Sequence, residues 1–553
     1  MPPKSPTTRS VRQQPGLACE ECRKRKARCD RAKPQCGSCL MTGRTCIVNY
    51  NRPRRGPKKG QIESLYSRLE VLEEQVVDQM DITGPGGLET QQDPQSFPEI
   101  HQTTRSGIED RQESPYLLSC ASSNTSDTAE RSLLTVRDQL YFDRVHPVAP
   151  FLHQRRHASR IEERMRSPKC ACLILAMRTV AAAMSAQFRR LADSLYAETN
   201  QLLRELDSTE FSPSLDQIQA LLLIAHYELL QMEESRAMVT AGRCFRLVQL
   251  ARLHDTDAYD AEDMLDFVAA EEKRRTFWVA YCFDRFLSSR HKWPLTLQEE
   301  TIWTRLPVPE IVYQTCQSSD IPMEFLHEAI STSGQRSLSP FAESIVLATL
   351  YGRTMNLHRM ANLLSVNTTP ETNHFWHRYR TLVSTIEKRV HLWTWAFAGP
   401  AGLVDPVVAF THVLGKAALM YVGEVGEAAR ARTFAVDEAS MSSGVQFSHK
   451  EHDITDINAD VQRPIQAAGD FVQLTRSMGP MNCFKAHPFL PNAISRAAAY
   501  LITNRPVSGR AVPFDDEVEE LRQMLRDLQT VNNLARGVLR ELDSLDARHR
   551  EKF

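Results

Sequence analysis

Six cysteines fall within 28 residues near the start of the chain: Cys19, Cys22, Cys29, Cys36, Cys39 and Cys46, of 13 in all. Their spacing is one unit, C-x2-C-x6-C, written twice. A C-x2-C pair lets two sulfurs reach one tetrahedral zinc at about 2.3 Å each. Each half supplies three thiolates, one short of a closed four-ligand site, so two halves complete two sites only by sharing two sulfurs. A segment this short buries little apolar surface without metal, so metal binding is what should fold it. Other cysteine chemistries fit less well. A disulfide framework belongs to exported chains, and the opening "MPPKSPTTRSVRQQPG" has no apolar signal core. Ferredoxin-type clusters use tighter runs. Zinc deaminases need H-x-E and P-C-x-x-C, whereas here the order is Pro34-Gln35-Cys36 with no histidine nearby.

This doubled spacing resembles that of the fungal zinc binuclear cluster (Zn2Cys6) transcription factors. The resemblance implies two Zn2+ ions bridged by the first and fourth thiolates. Cys19, Cys22, Cys29 and Cys36 would hold one zinc, and Cys36, Cys39, Cys46 and Cys19 the other. Pro34 sits where the family has the proline of its inter-lobe loop.

Between Cys22 and Cys29 lies "RKRKAR", five cations in six residues without Gly or Pro. It reads as a short helix, and the natural partner of such charge is phosphate. The resemblance implies that this helix enters the major groove and that the lysine four residues after the second cysteine, Lys26, reads a CGG triplet. Arg25 is the alternative base reader. Arg23, Lys24 and Arg28 would position the unit on phosphates, which carry no sequence information.

Both features need elements to place them. Residues 1–60 hold 16 Lys and Arg against three acids, so a +13 end is joined to a body of −14. Such a split suggests a polyanion-binding end on a neutral-to-acidic body. A basic N-terminus reading as disordered (1–15) precedes the cysteine domain (16–50). A basic linker (51–61) follows, in which Arg54, Arg55, Lys58 and Lys59 suit an extended arm along phosphates; Pro and Gly block helix there. The same cations suit nuclear import. Ile62, Leu65, Leu69, Leu72 and Val76 then alternate at spacings of three and four, an a/d seam for a short coiled coil over 62–80. A lone helix packing on the body is the other reading. The resemblance favours a homodimer that presents two modules to two half-sites.

Residues 81–130 are polar and Gly/Ser/Pro-rich and read as a disordered linker. From 131 the pattern is helical and strand alternation is nearly absent, so the body reads as all-α. Helical patterns cover 171–205, two helices in 212–255 with a capping box at Ser214 and Gln217, then 264–290, 338–365, 376–397, 407–432, 463–478, 491–503 and 516–546. A flexible insertion is expected at 437–462, dividing a domain at 131–436 from a C-terminal helical region at 463–553. "YFDRVHPVAPFLH" from Tyr141, the helix pair through Asp255 and "EEKRRTFWVAYCFDRFLSSRHKWPLTLQEETIWTRLP" from Glu271 resemble the family's middle homology region.

Chemistry in the body is sparse. His153 and His157 lie four apart, but core or surface histidines are far commoner than ligands. Glu271–Arg275 and Asp284-Arg285 look like structural ion pairs. The seven scattered cysteines read as small buried apolar residues. No H-E-x-x-H, G-x-S-x-G, P-loop or G-x-G-x-x-G occurs, and no apolar run reaches the length of a membrane span. The expectation is a nuclear, sequence-specific RNA polymerase II transcription factor on double-stranded DNA, an activator working with the transcription machinery or co-regulators, with no membrane partner and no enzymatic activity. Its targets would be a metabolic or secondary-metabolite gene cluster. The alternatives are a repressor, or a zinc-stabilised nucleic-acid-binding scaffold without activation function.

Overall fold

The computed structural model describes residues 18–30, 35–46, 138–158, 167–209, 213–258, 266–316, 323–332, 337–363, 369–397, 405–441, 454–478, 483–504 and 515–551. The basic N-terminus, the linker arm, the heptad seam and the segment 81–130 lie outside them. The chain divides into two units, 1–93 and 94–553.

In the first unit each C-x2-C pair straddles the start of one short helix, α1 (Glu20–Lys24) and α2 (Gly37–Met41). The thiols themselves form the buried centre, from 0% exposed at Cys19 to 5% at Cys29. Apolar side chains are nearly absent from that centre, so ligation must supply what a hydrophobic core supplies elsewhere.

The second unit is helical throughout, with no strand among the described residues. A π-helical turn at Tyr141–Val145 opens it. Helices α3 (Pro168–Ala183), α4 (Ala192–Thr209), α5 (Leu215–Leu230) and α6 (Glu234–Leu250) follow. Then come α7 (Phe267–His291), the short α8 (Glu310–Thr315) and α9 (Leu326–Ser331), α10 (Pro340–Leu363), α11 (Thr369–Ala396) and α12 (Pro406–Met441). The last four are α13 (Ile454–Met478), α14 (Leu490–Thr503), α15 (Asp515–Leu528) and α16 (Asn533–Arg550). Helix α5 is apolar nearly all round, and everything from Gln217 to Leu230 is buried, as expected of a helix surrounded by others. It packs on α3 and α6. Helix α12 plays that part later, against α10, α11, α13 and α14. Its segment Pro406–Arg432 is long and apolar enough to cross a membrane, but 78% of its most apolar window is buried, as in a core helix. Close approach to α13 depends on Gly423, where an added Cβ would sit 2.8 Å from the ring of Pro464.

The charges expected to be structural are so. Arg275, fully buried, donates to Pro150 O at 2.9 Å, Val308 O at 2.8 Å and Glu271 at 2.9 Å, and also pairs with Glu310. Asp284 accepts the N–H groups of Thr296 and Leu297, both at 2.9 Å, while Arg285 donates to Leu297 O at 2.7 Å. Helix α7 thus fastens the irregular chain on either side of it, satisfying backbone groups that burial would otherwise strand.

Several boundaries differ from the sequence expectation. The pattern at 171–205 is two helices, because Arg144 takes the Met184 carbonyl at 2.6 Å where α3 ends. The pattern at 516–546 is also two: Asn532 accepts from Leu534 N at 3.0 Å and starts α16 as its N-cap. Helices α12 and α13 reach to Met441 and from Ile454, entering the expected insertion at 437–462 from both ends; 442–453 lie outside the described residues. Ser214 caps α5, accepting from Gln217 N at 3.2 Å. The Gln217 side chain instead donates to Asp207, so the box is half formed.

Candidate metal centre

The two cysteine units fold alike. Cys19 directly precedes α1, and Cys36 is the N-cap of α2. Cys22 N–H donates to Cys19 Sγ at 3.4 Å, and this contact pulls the Cys19 thiol down to about 6. The Cys36 thiol is likewise lowered, chiefly by the backbone N–H of Cys39. Thiols at helix N-termini ionise readily because the N–H groups and the helix dipole favour negative charge. Burial drives the other way at Cys22, pushed up to about 12, and at Cys39.

The sulfurs converge. Cys19 lies 3.7 Å from Cys36 and 3.6 Å from Cys39, and Cys22 lies 3.6 Å from Cys36. Bonds of about 2.3 Å in a tetrahedron put neighbouring sulfurs about 3.8 Å apart, so the donor set fits zinc. Cys19, Cys22, Cys36 and Cys39 form one group of potential ligand atoms within 4.8 Å, and Cys29, Asp30 and Cys36 form a second. Cys46 Sγ accepts from Cys36 N at 3.4 Å. Cys19, Cys22, Cys36 and Cys39 thus each meet thiols of both halves.

Each short helix ends in the same Schellman-type turn. Ala27 N–H donates to Cys22 O at 2.9 Å around Lys26, and Arg44 N–H to Cys39 O at 3.1 Å around Gly43. The turn residue has φ of 52° at Lys26 and 62° at Gly43. Glycine occupies this left-handed region without strain, whereas a lysine costs about 1 kcal/mol or more there. The expected helix across "RKRKAR" is therefore corrected. It stops at Lys24, and Arg25 and Lys26 form the turn. Lys24, Arg25, Lys26 and Arg28 are exposed. Arg25 Nη1 leans to Thr42 Oγ1 at 3.4 Å, and Glu21 pairs with Arg44 at 2.7 Å, stitching the halves together. Where α1 carries Arg23 and Lys24, α2 carries Leu40 and Met41, which are 68% and 90% exposed. One backbone unit thus occurs twice, with clustered cations on the first copy where the second presents Leu40 and Met41. Arg54, Arg55, Lys58, Lys59 and the five seam residues lie outside the described residues.

In the body, His153 Nδ1 accepts Arg156 N–H at 3.1 Å and its Nε2 faces Cys316 Sγ at 3.2 Å. The remaining described cysteines divide. Cys172, Cys244 and Cys282 are buried as expected, Cys170 and Cys483 partly so, and Cys316 is exposed. Among the described residues, groups able to hold a metal occur only in the N-terminal cysteine unit.

A zinc-ligating thiol cluster with one basic face, followed by a large helical body, defines a DNA-binding transcription regulator. Comparison with known proteins agrees. The family model "Fungal Zn(2)-Cys(6) binuclear cluster domain" matches residues 17–56, and "Fungal specific transcription factor domain" matches 139–393. A transcription factor of Emericella nidulans is 49% identical, covering 87% of this chain and 88% of its own. The asperfuranone cluster transcription factor of the same organism is 35% identical over 98% of both chains. The citrinin biosynthesis transcriptional activator of Monascus purpureus is 33% identical over 98% of this chain and 95% of its own. The chain belongs to the fungal zinc cluster transcription factors. It binds zinc and DNA, and its relatives are named as regulators, none of these as an enzyme.

Proposed function

We propose that this chain is a nuclear transcriptional activator that reads CGG-type half-sites as a homodimer and regulates a biosynthetic gene cluster. The observation that carries the reading is Lys26, an exposed lysine kept in a strained turn at the point where the other half has glycine. Strained backbone clusters at functional sites, held there by the structure around it. Lys26 donates to guanine O6 and N7, the major-groove edge that basic side chains read best. Arg23, Lys24 and Arg28 meet phosphates, with Arg54, Arg55, Lys58 and Lys59 continuing along the backbone. Arg25, leaning on Thr42, is the secondary base contact. Two zinc ions hold the module, one on Cys19, Cys22, Cys29 and Cys36, the other on Cys36, Cys39, Cys46 and Cys19. Ile62, Leu65, Leu69, Leu72 and Val76 pair two chains. Activation and a cluster target are supported by relatives named as biosynthesis activators and cluster factors.

The test is binding of the full-length chain to duplexes with intact or altered CGG. Lys26→Ala should bring the two affinities together, a loss of about 1–3 kcal/mol of discrimination. Lys24→Ala should weaken both duplexes alike and reduce the salt slope by about one. Equal losses on both duplexes for Lys26→Ala would overturn the base-reading role, and one zinc per chain would overturn the ligand assignment.

A further inference from the structure

The body holds a cavity of about 430 Å³, within the size range of small-molecule sites. It opens among the C-terminal turn of α7 and helices α10, α12, α14 and α16. The last three lie beyond the segment 139–393 that the transcription factor domain model matches. The cavity therefore lies where the matched segment meets helices that follow it in the chain.

Its charges are unevenly satisfied. Arg496 donates to Glu424 at 2.7 Å and to the Tyr351 hydroxyl at 3.1 Å, and its guanidinium lies over the Tyr421 ring at 4.0 Å. Arg290 is held by Glu234 at 2.6 Å and Glu541 at 2.9 Å. Both cations of the wall are thus occupied. Glu427 is different. Its Oε1 accepts the Tyr500 O–H at 3.1 Å, and it makes no ion pair among the described residues. Arg430, one turn further along α12, lies over Trp376 at 5.3 Å instead. Burial raises the Glu427 carboxyl above its usual range and Glu424 adds to this, while the Tyr500 hydroxyl and the Arg430 charge oppose the shift without cancelling it; a cation beside the carboxylate would favour its charged form.

We propose that this cavity binds a small organic ammonium compound, with the ammonium on Glu427. Anions are disfavoured because both arginines are already neutralised. The aliphatic part of the ligand rests against Tyr351, Tyr500 and Ala499. Binding ties α10 to α12 and α14, so occupancy stabilises the body by mass action.

The test is calorimetric titration of the full-length chain with aminopentanol, and with pentanediol as the uncharged counterpart. Aminopentanol should bind at least about tenfold more tightly than the diol, a difference of about 1.4 kcal/mol, and should raise the melting temperature. Glu427→Gln keeps an acceptor for the Tyr500 hydroxyl and should reduce amine affinity to that of the diol. Equal binding of amine and diol, no heat with aminopentanol, or undiminished binding by a folded Glu427→Gln chain would each overturn the proposal. The diol comparison uses the unaltered protein and so stands even where the variant misfolds.

Discussion

Lys26 takes a backbone conformation that suits glycine, and Gly43 takes the same one seventeen residues on. The two positions are equivalent in the repeated unit, so the backbone alone does not set the difference between them. Lys26→Gly should therefore separate stability from recognition. Relief of the left-handed strain should stabilise the module by about 1 kcal/mol, seen as resistance to a competing chelator, while preference for CGG disappears. A variant that loses metal more readily than the parent would contradict this. The gathering of the cysteines was legible from the sequence because one interval pattern is written twice. The turn at Lys26 was not, since nothing in lysine's own preferences signals it. Setting the two C-x2-C-x6-C units in register would have revealed it, because Lys26 then falls on Gly43. The Cys316–His153 contact had no such signal: the two lie 163 residues apart and only the fold joins them.

Among the elements, helix identity was mostly legible and helix ends were not. Periodicity records which face is buried, whereas an end is decided by a partner elsewhere in the chain. Arg144, forty residues upstream, takes the carbonyl at the end of α3. Asn532 stops the run at 516–546 partly by donating to Pro488 O at 2.9 Å. Distant pairing also joins whole helices. Glu343 on α10 and Arg389 on α11 are each 1% exposed at their side chains and face each other, with Nε donating at 2.9 Å. Burial raises the Glu343 carboxyl, and Arg389 opposes that shift. Arg389→Met leaves a buried carboxylate without its partner and should cost about 3–5 kcal/mol by denaturant midpoint. Glu343→Leu combined with Arg389→Met should recover most of the loss, since an apolar pair of similar volume removes the stranded charge. Additive losses in the double variant would show that the pair acts through packing alone.

At the scale of the molecule, the two units draw stability from different sources: metal ligation in the first and apolar burial in the second. The second should therefore be the more sensitive to charging of its interior, and His226 provides the test. It sits on α5, the most enclosed helix, 5% exposed, with its ring 4.3 Å from that of Phe283. Nδ1–H donates to Leu222 O at 2.7 Å, which leaves Nε2 to take any added proton. No carboxylate lines this part of the core, whose other titratable neighbours are His487, itself held neutral by burial, and Cys282. Burial lowers His226 from 6.5 to about 4. The folded value lies below the unfolded one, so between them the unfolded chain binds the extra proton. The contribution is complete above pH 6.5 and is lost as pH falls toward 4, about 3 kcal/mol in all. His226→Leu keeps the volume, removes the titration, and should flatten the fall of the body's urea midpoint between neutral and mildly acidic pH. An unchanged slope would mean that the acid sensitivity lies elsewhere, and that this core admits water when the proton arrives.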